Sequence, residues 1–113
     1  MMSWDVIVQD LPTDASHASE IPDDFRPRPL ELRRTQVISV AADLAGSVEA
    51  SDPAWTTWTD DAWVIEMNLG DDEHVDSFAI HARGNLDRCQ QVIEQLLKAL
   101  GTRGLVPGGH ILG

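Results

Sequence analysis

The chain is poor in the groups on which most small-protein chemistry depends. It has a single cysteine, Cys89, so it forms no internal disulfide, which fits a reducing compartment. Its four histidines are scattered and make no zinc-binding spacing. No glycine-rich phosphate loop, nucleophile elbow or dinucleotide fingerprint occurs. Apolar runs stay well short of the roughly 20 residues that a membrane helix needs. The first residues lack a basic stretch followed by an apolar one, so no signal peptide is expected and the cytoplasm is the expected compartment. Cys89 falls on an apolar helical stripe with nothing basic beside it, which reads as an inert buried thiol.

Basic residues are also scarce where acids are dense. From Thr35 to Ala82 there are ten acids and no Lys or Arg, and residues 1–25 hold six acids and no Lys or Arg. Residues 26–34 supply four Arg against one Glu. The formal net charge of the 113 residues is −11. Such a chain repels nucleic acid and anionic membrane surfaces, and a basic protein is its natural electrostatic partner.

The length suits a single domain, 1–113, with an ordinary apolar fraction. Its central stretch runs from Trp63 to Arg83. Trp63, Ile65, Met67 and Leu69 alternate with Val64, Glu66 and Asn68; Phe78, Ile80 and Ala82 alternate with Ser77, Ala79, His81 and Arg83. Period-two alternation on either side of Gly70 and an acid run predicts a β-hairpin. Pairing Met67 with Phe78, Ile65 with Ile80 and Trp63 with Ala82 sets apolar against apolar. A one-residue slip would carry the apolar set to the wrong face.

Strands are also predicted at Trp4–Asp10, at Trp55–Thr59 with Asp60-Asp61 as the turn into Ala62, and at Thr102–Val106, with His110-Ile111-Leu112 folding back. Glu31–Ala45 shows helical spacing, preceded by Pro29 and followed by Gly46. A second helix begins at an Asn85 cap, buries Leu86, Cys89, Val92, Ile93, Leu96, Leu97 and Leu100, and stops at Gly101. Residues 47–53 read as a polar connection. Residues 11–29 form a long loop with four prolines, in which Ile21, Phe25 and Leu30 are candidates to pin it to the core.

The resulting order is β-α-β-β-β-α-β. It predicts an α+β two-layer sandwich, a mainly antiparallel sheet of four to five strands with both helices on one face, loosely ferredoxin-like. The opposite face is then open, holding Thr57, Thr59, Val64, Glu66, Asn68, Ser77, Ala79, His81 and Arg83.

At this point the chain resembles an uncharacterised family of small bacterial proteins. The resemblance rests on Ile21-Pro22-Asp23-Asp24-Phe25 with Pro29-Leu30, on Ser51-Asp52-Pro53-Ala54-Trp55, on Glu66-Met67-Asn68-Leu69-Gly70, and on Ser77-Phe78-Ala79-Ile80-His81-Ala82-Arg83-Gly84. Thr56 stands where members carry a glycine. The resemblance implies a small bacterial single-domain protein and brings no chemistry with it.

Three groups are candidate binding residues, and none is assigned as catalytic. Glu66, His81 and Arg83, with Asn68, share the open face: a carboxylate beside an imidazole makes an acid–base pair, and an arginine binds anions. The plainer reading is a solvated cross-strand ladder. Asp71, Asp72 and Glu73 are candidate contacts for a basic partner. With His74 and Asp76 they fail the calcium-loop template, so no metal is expected. Trp55, following Pro53 at a strand edge, is a candidate anchor if exposed and a packing residue if not. No cofactor is expected. The leading reading is a non-enzymatic acidic protein-binding module, of which an immunity-type protein is one version. A small-molecule binder or enzyme using Glu66, His81 and Arg83 is the alternative, and a homodimer through the open face is a third.

Overall fold

A computed structural model describes residues 3–113. In chain order the strands and helices are β1 (Ser3–Gln9), β2 (Leu32–Arg33), α1 (Arg34–Leu44), β3 (Ser47–Glu49), β4 (Trp55–Thr59), β5 (Trp63–Asn68), β6 (His74–Val75), β7 (Phe78–Gly84), α2 (Leu86–Leu100), β8 (Arg103–Leu105) and β9 (Ile111–Leu112). Seven strands make one antiparallel sheet in the order β3-β4-β5-β7-β1-β8-β9, and β2 and β6 pair separately. The fold is thus α+β with two helices, as expected, but with seven strands in the sheet where four to five were predicted. β7, α2 and β8 form a split β-α-β unit with β1 between its strands. The β3–β4 hairpin at one edge and β9 at the other take the sheet beyond the four-strand ferredoxin-like plan.

One face of the sheet is dry. Val6, Val8, Trp58, Ile65, Met67 and Ile80 are fully buried there against Val37 and Ala41 of α1 and Ile93, Leu96 and Leu97 of α2. Thr56 is also on this face, fully buried, and its hydroxyl donates to the Pro53 carbonyl at 3.2 Å. That bond is what makes a polar side chain tolerable in the core. Trp58 meets Trp63 edge to face with centroids 5.2 Å apart, and its indole N–H donates to the Ala45 carbonyl at 2.7 Å.

The second helix matches its prediction. The Asn85 side chain accepts from the Arg88 N–H at 3.2 Å, Asp87 and Lys98 complement the dipole, and Gly101 closes the helix at φ +68°. The first helix starts at Arg34, three residues later than predicted. Leu32 and Arg33 are extended because they pair with Val75 and His74, and Glu31 turns the chain at φ +61°. Groups distant in sequence then cap the helix: Arg34 N–H donates to the Glu73 carbonyl at 2.8 Å, and the Glu73 carboxylate accepts from Thr35 Oγ1 at 2.6 Å and Thr35 N–H at 3.3 Å. Gly46 follows at φ +64°, where an added Cβ would lie 2.1 Å from the Thr59 carbonyl oxygen. Residues 47–49, expected as polar connection, pair with β4 instead.

The predicted hairpin register is corrected by two residues. Trp63 stands opposite Gly84, Ile65 opposite Ala82, Met67 opposite Ile80 and Glu66 opposite His81. Faces are preserved, because the shift is even. The connection between β5 and β7 is also no simple turn: it carries β6, which pairs with β2.

The 11–29 loop packs rather than dangles. Leu11 and Ala15 are buried with Ile111, and Ile21 and Leu105 join them. A 3-10 turn at Ala18–Glu20 is capped by His17, whose Nε2 contacts the Gly108 carbonyl at 3.0 Å. Arg103 donates to the Pro12 carbonyl at 2.5 Å. Leu30 packs on the main core, whereas Phe25 belongs to neither cluster. Leu105 and Ile111 are on the sheet face opposite Gly104, so this loop covers the outer face at its β8–β9 end.

Candidate functional site

On the outer face the antiparallel register sets side chains in three rows across β4, β5, β7 and β1. The first contains Trp55, Asn68, Ala79 and Ile7; the second Thr57, Glu66, His81 and Asp5; the third Thr59, Val64 and Arg83. Each row follows from period-two alternation, because a residue opposite another shares its face.

Polar groups in the second row are joined to each other and to the rows beside them. Asp5 Oδ1 lies 2.9 Å from His81 Nδ1. The His81 ring stacks on Trp55 with centroids 5.6 Å apart and planes 25° from parallel. Trp55 Nε1 donates to Glu66 Oε2 at 2.5 Å, and Arg83 Nη1 pairs with Glu66 Oε1 at 3.2 Å. The five side chains therefore form one run, Asp5–His81–Trp55–Glu66–Arg83. Both Glu66 oxygens are engaged, and a charge-assisted bond holds the indole at its polar end.

The sequence candidates divide accordingly. Glu66, His81, Arg83 and Trp55 come together; Asn68 is exposed in the row beside them. Trp55 is exposed at 41%, so it is no packing residue. Asp71 and Asp72 are exposed at the end of the sheet, in the connection that follows β5. Glu73 leaves the acidic group: it caps α1 through Thr35 and lies 3.8 Å from Arg34 Nε. The hydrogen bond from the Thr35 hydroxyl, then that from its N–H, with smaller contributions from the Arg34 and Arg33 charges, holds the Glu73 carboxyl below its ordinary pKa. The acids do not pave one face. Asp52, Asp71, Asp72 and Asp76 gather at one end of the sheet, and Asp60 and Asp61 lie at the other.

Asp5 and Ile7 are the site residues that sequence reasoning missed. Ile7 is 43% exposed, and with Trp55 it is one of the two large apolar side chains left open to solvent among the described residues. The alternation of Trp4–Asp10 already placed both on one face; what was missing was the central position of β1, beside β7.

A depression of about 310 Å³ opens on this face between Ile7, Asn68, Leu69, Gly70, Ser77, Phe78 and Ala79. Four further depressions of 120 to 220 Å³ lie elsewhere, and His81 lines none of them. Arg83 borders one of them, of about 180 Å³, beside Asp60, Asp61 and Trp63, whereas Glu66 and His81 line none of the five, so the three groups do not converge in one cleft. Cys89 is fully buried and burial pushes its thiol pKa up, away from nucleophilic use. Among the described residues, no group of three or more His, Cys, Asp or Glu is placed to hold a metal ion, and no helix is long and apolar enough to cross a membrane.

Comparison with known proteins returns no match to the chain among protein-family models, curated proteins or solved structures.

Proposed function

We propose that this domain is a non-enzymatic binding module that offers the outer face of its sheet to a basic protein partner. The observation that carries the reading is the placement of Trp55 and Ile7, the two exposed large apolar side chains among the described residues, in one cross-strand row beside Asp5 and Glu66. Buried aromatics dominate interface energetics, and an indole already fixed by Glu66 and His81 loses little freedom on binding. A net charge of −11 steers a basic partner toward the domain and opposes pairing of two copies, which favours a foreign partner over a homodimer. An immunity-type protein that neutralises a basic toxin is one version, and a bacterial cytoplasmic setting belongs to the same proposal.

The enzymatic alternative has less support. A general base needs an open position facing a substrate in a site that excludes water. Here both Glu66 oxygens are engaged, by Trp55 and Arg83, and the imidazole lines no depression.

The test uses a captured partner re-purified as a defined pair. Trp55→Ala is expected to weaken the pair about 30-fold or more, in line with a hot-spot loss of ~2 kcal/mol. Asp71→Lys with Asp72→Lys is expected to slow association and flatten its salt dependence. A basic partner whose affinity ignores both variants, with the amide spectrum intact, would refute the proposal.

A further inference from the structure

We infer that the group this face takes from its partner is a lysine side chain, with its ammonium at Asp5 and its stem along Ile7. The inference rests on the binding reading above and deepens it.

The argument starts from which carboxylate oxygens are left. Two carboxylates stand on the outer face of the central strands, Glu66 and Asp5. Both Glu66 oxygens are taken, by Trp55 Nε1 and Arg83 Nη1. Asp5 gives Oδ1 to His81, and its Oδ2 has no protein partner among the described residues; the side chain is 55% exposed. An arginine fork is best satisfied by two unengaged oxygens of one carboxylate, and neither residue offers two: each Glu66 oxygen already accepts a bond, and Asp5 has only Oδ2 unengaged. An ammonium is a compact point charge and is satisfied by one.

The surroundings of Asp5 suit the rest of a lysine. Ile7 is the next outward residue on β1, about 7 Å along an antiparallel strand, and it borders the depression that Ala79 and Asn68 also line. A four-carbon stem lying across Ile7 and Ala79 buries methylenes while its head stays at the carboxylate, as amphipathic side chains do. The nearby cations do not compete. Arg83 is drawn to Glu66, on the far side of β7 from Asp5, and Arg103 is held by the Pro12 and Gly113 carbonyls. His81 presents Nδ1 to Asp5 and so orients the carboxylate.

Two synthetic peptides, acetyl-Gly-Leu-Lys-Leu-Lys-Gly-amide and its arginine counterpart, separate the possibilities when titrated into the labelled full chain and followed by NMR. The lysine peptide is expected to bind at least threefold tighter and to move the resonances of Asp5, Ile7, His81 and the Trp55 indole. Asp5→Asn, which keeps an acceptor for His81 but removes the charge, is expected to weaken the lysine peptide at least fivefold and to abolish the preference. An arginine peptide that binds equally well or better, or an Asp5→Asn variant that binds lysine unchanged, would overturn the lysine assignment and leave the binding face standing. If neither peptide moves those resonances at millimolar concentration, the basic-partner reading falls with it.

Discussion

Trp58→Phe isolates the bond that ties the end of α1 to the sheet. Trp58 is fully buried, and its indole N–H donates to the Ala45 carbonyl at 2.7 Å, one residue past the last turn of the helix. Phenylalanine keeps an aromatic ring facing Trp63 but removes the donor. Leaving the half-buried Ala45 carbonyl without this partner costs about 1–3 kcal/mol, toward the lower end where water reaches it. The smaller ring adds a cavity worth on the order of 1 kcal/mol, so the total is roughly 2–4 kcal/mol. For a domain of this size 1 kcal/mol corresponds to about 4 °C in Tm, and calorimetry should record a fall of about 8–16 °C. Trp63→Phe is the control, because Trp63 is 3% exposed and is the other ring of the same edge-to-face pair, while its indole makes no hydrogen bond among the described residues. It is expected to lose only the packing part. Equal losses for the two variants would refute the reasoning, since the Ala45 bond would then contribute nothing.

Other consequences follow from single residues. Glu73 has a depressed carboxyl pKa when folded, so its contribution to stability is present above the ordinary glutamate value of about 4.3 and is lost as pH falls through the lower folded value. The Tm gap between the native chain and Glu73→Gln should therefore be open at neutral pH and close on acidification; a gap constant with pH would sink this account. Gly46→Ala is expected to destabilise by about 2 kcal/mol or more, from left-handed strain and a collision with the Thr59 carbonyl, measured by urea unfolding. Glu31→Gly should stabilise by up to about 1 kcal/mol, because Glu31 holds φ +61° in a conformation that glycine adopts freely; no gain in the urea midpoint would show that its side chain compensates.

Much of the fold was legible wherever one physical signal acted alone. The α2 boundaries follow from Asn85, Gly101 and an uninterrupted apolar stripe, all local. The alternation of β4, β5 and β7 named the core face correctly, including Trp58, Trp63, Ile65 and Ile80. What failed depended on partners distant in sequence. Leu32 and Arg33 fall inside the predicted helix but are pulled into extension by Val75 and His74. Ser47–Glu49 has no strand pattern of its own and becomes one because β4 offers a free edge. The site was half legible: the faces of Glu66, His81 and Arg83 were right, while Asp5 and Ile7 needed the strand order.

The register shows most plainly what a period-two pattern hides. Alternation excludes odd slips and says nothing about even ones. A local signal for the true register was present at Gly84, where an added Cβ would lie 2.9 Å from the Trp63 Cα and 2.6 Å from the Ala62 carbonyl oxygen. Only a residue without a side chain fits beside Trp63 there, and the two-residue shift follows. That shift moves His81 from opposite Val64 to opposite Glu66, in line with Asp5 on the next strand. Pairs this exposed contribute about 0.2–1 kcal/mol each, too little to explain the arrangement as a stability device. Their effect is on orientation. Arg83 holds Glu66, Glu66 holds the indole N–H, and His81, itself held by Asp5, stacks on the ring face. Ordering a free side chain at an interface costs about 0.5–1.5 kcal/mol, and at Trp55 the fold has already met that cost before any partner arrives.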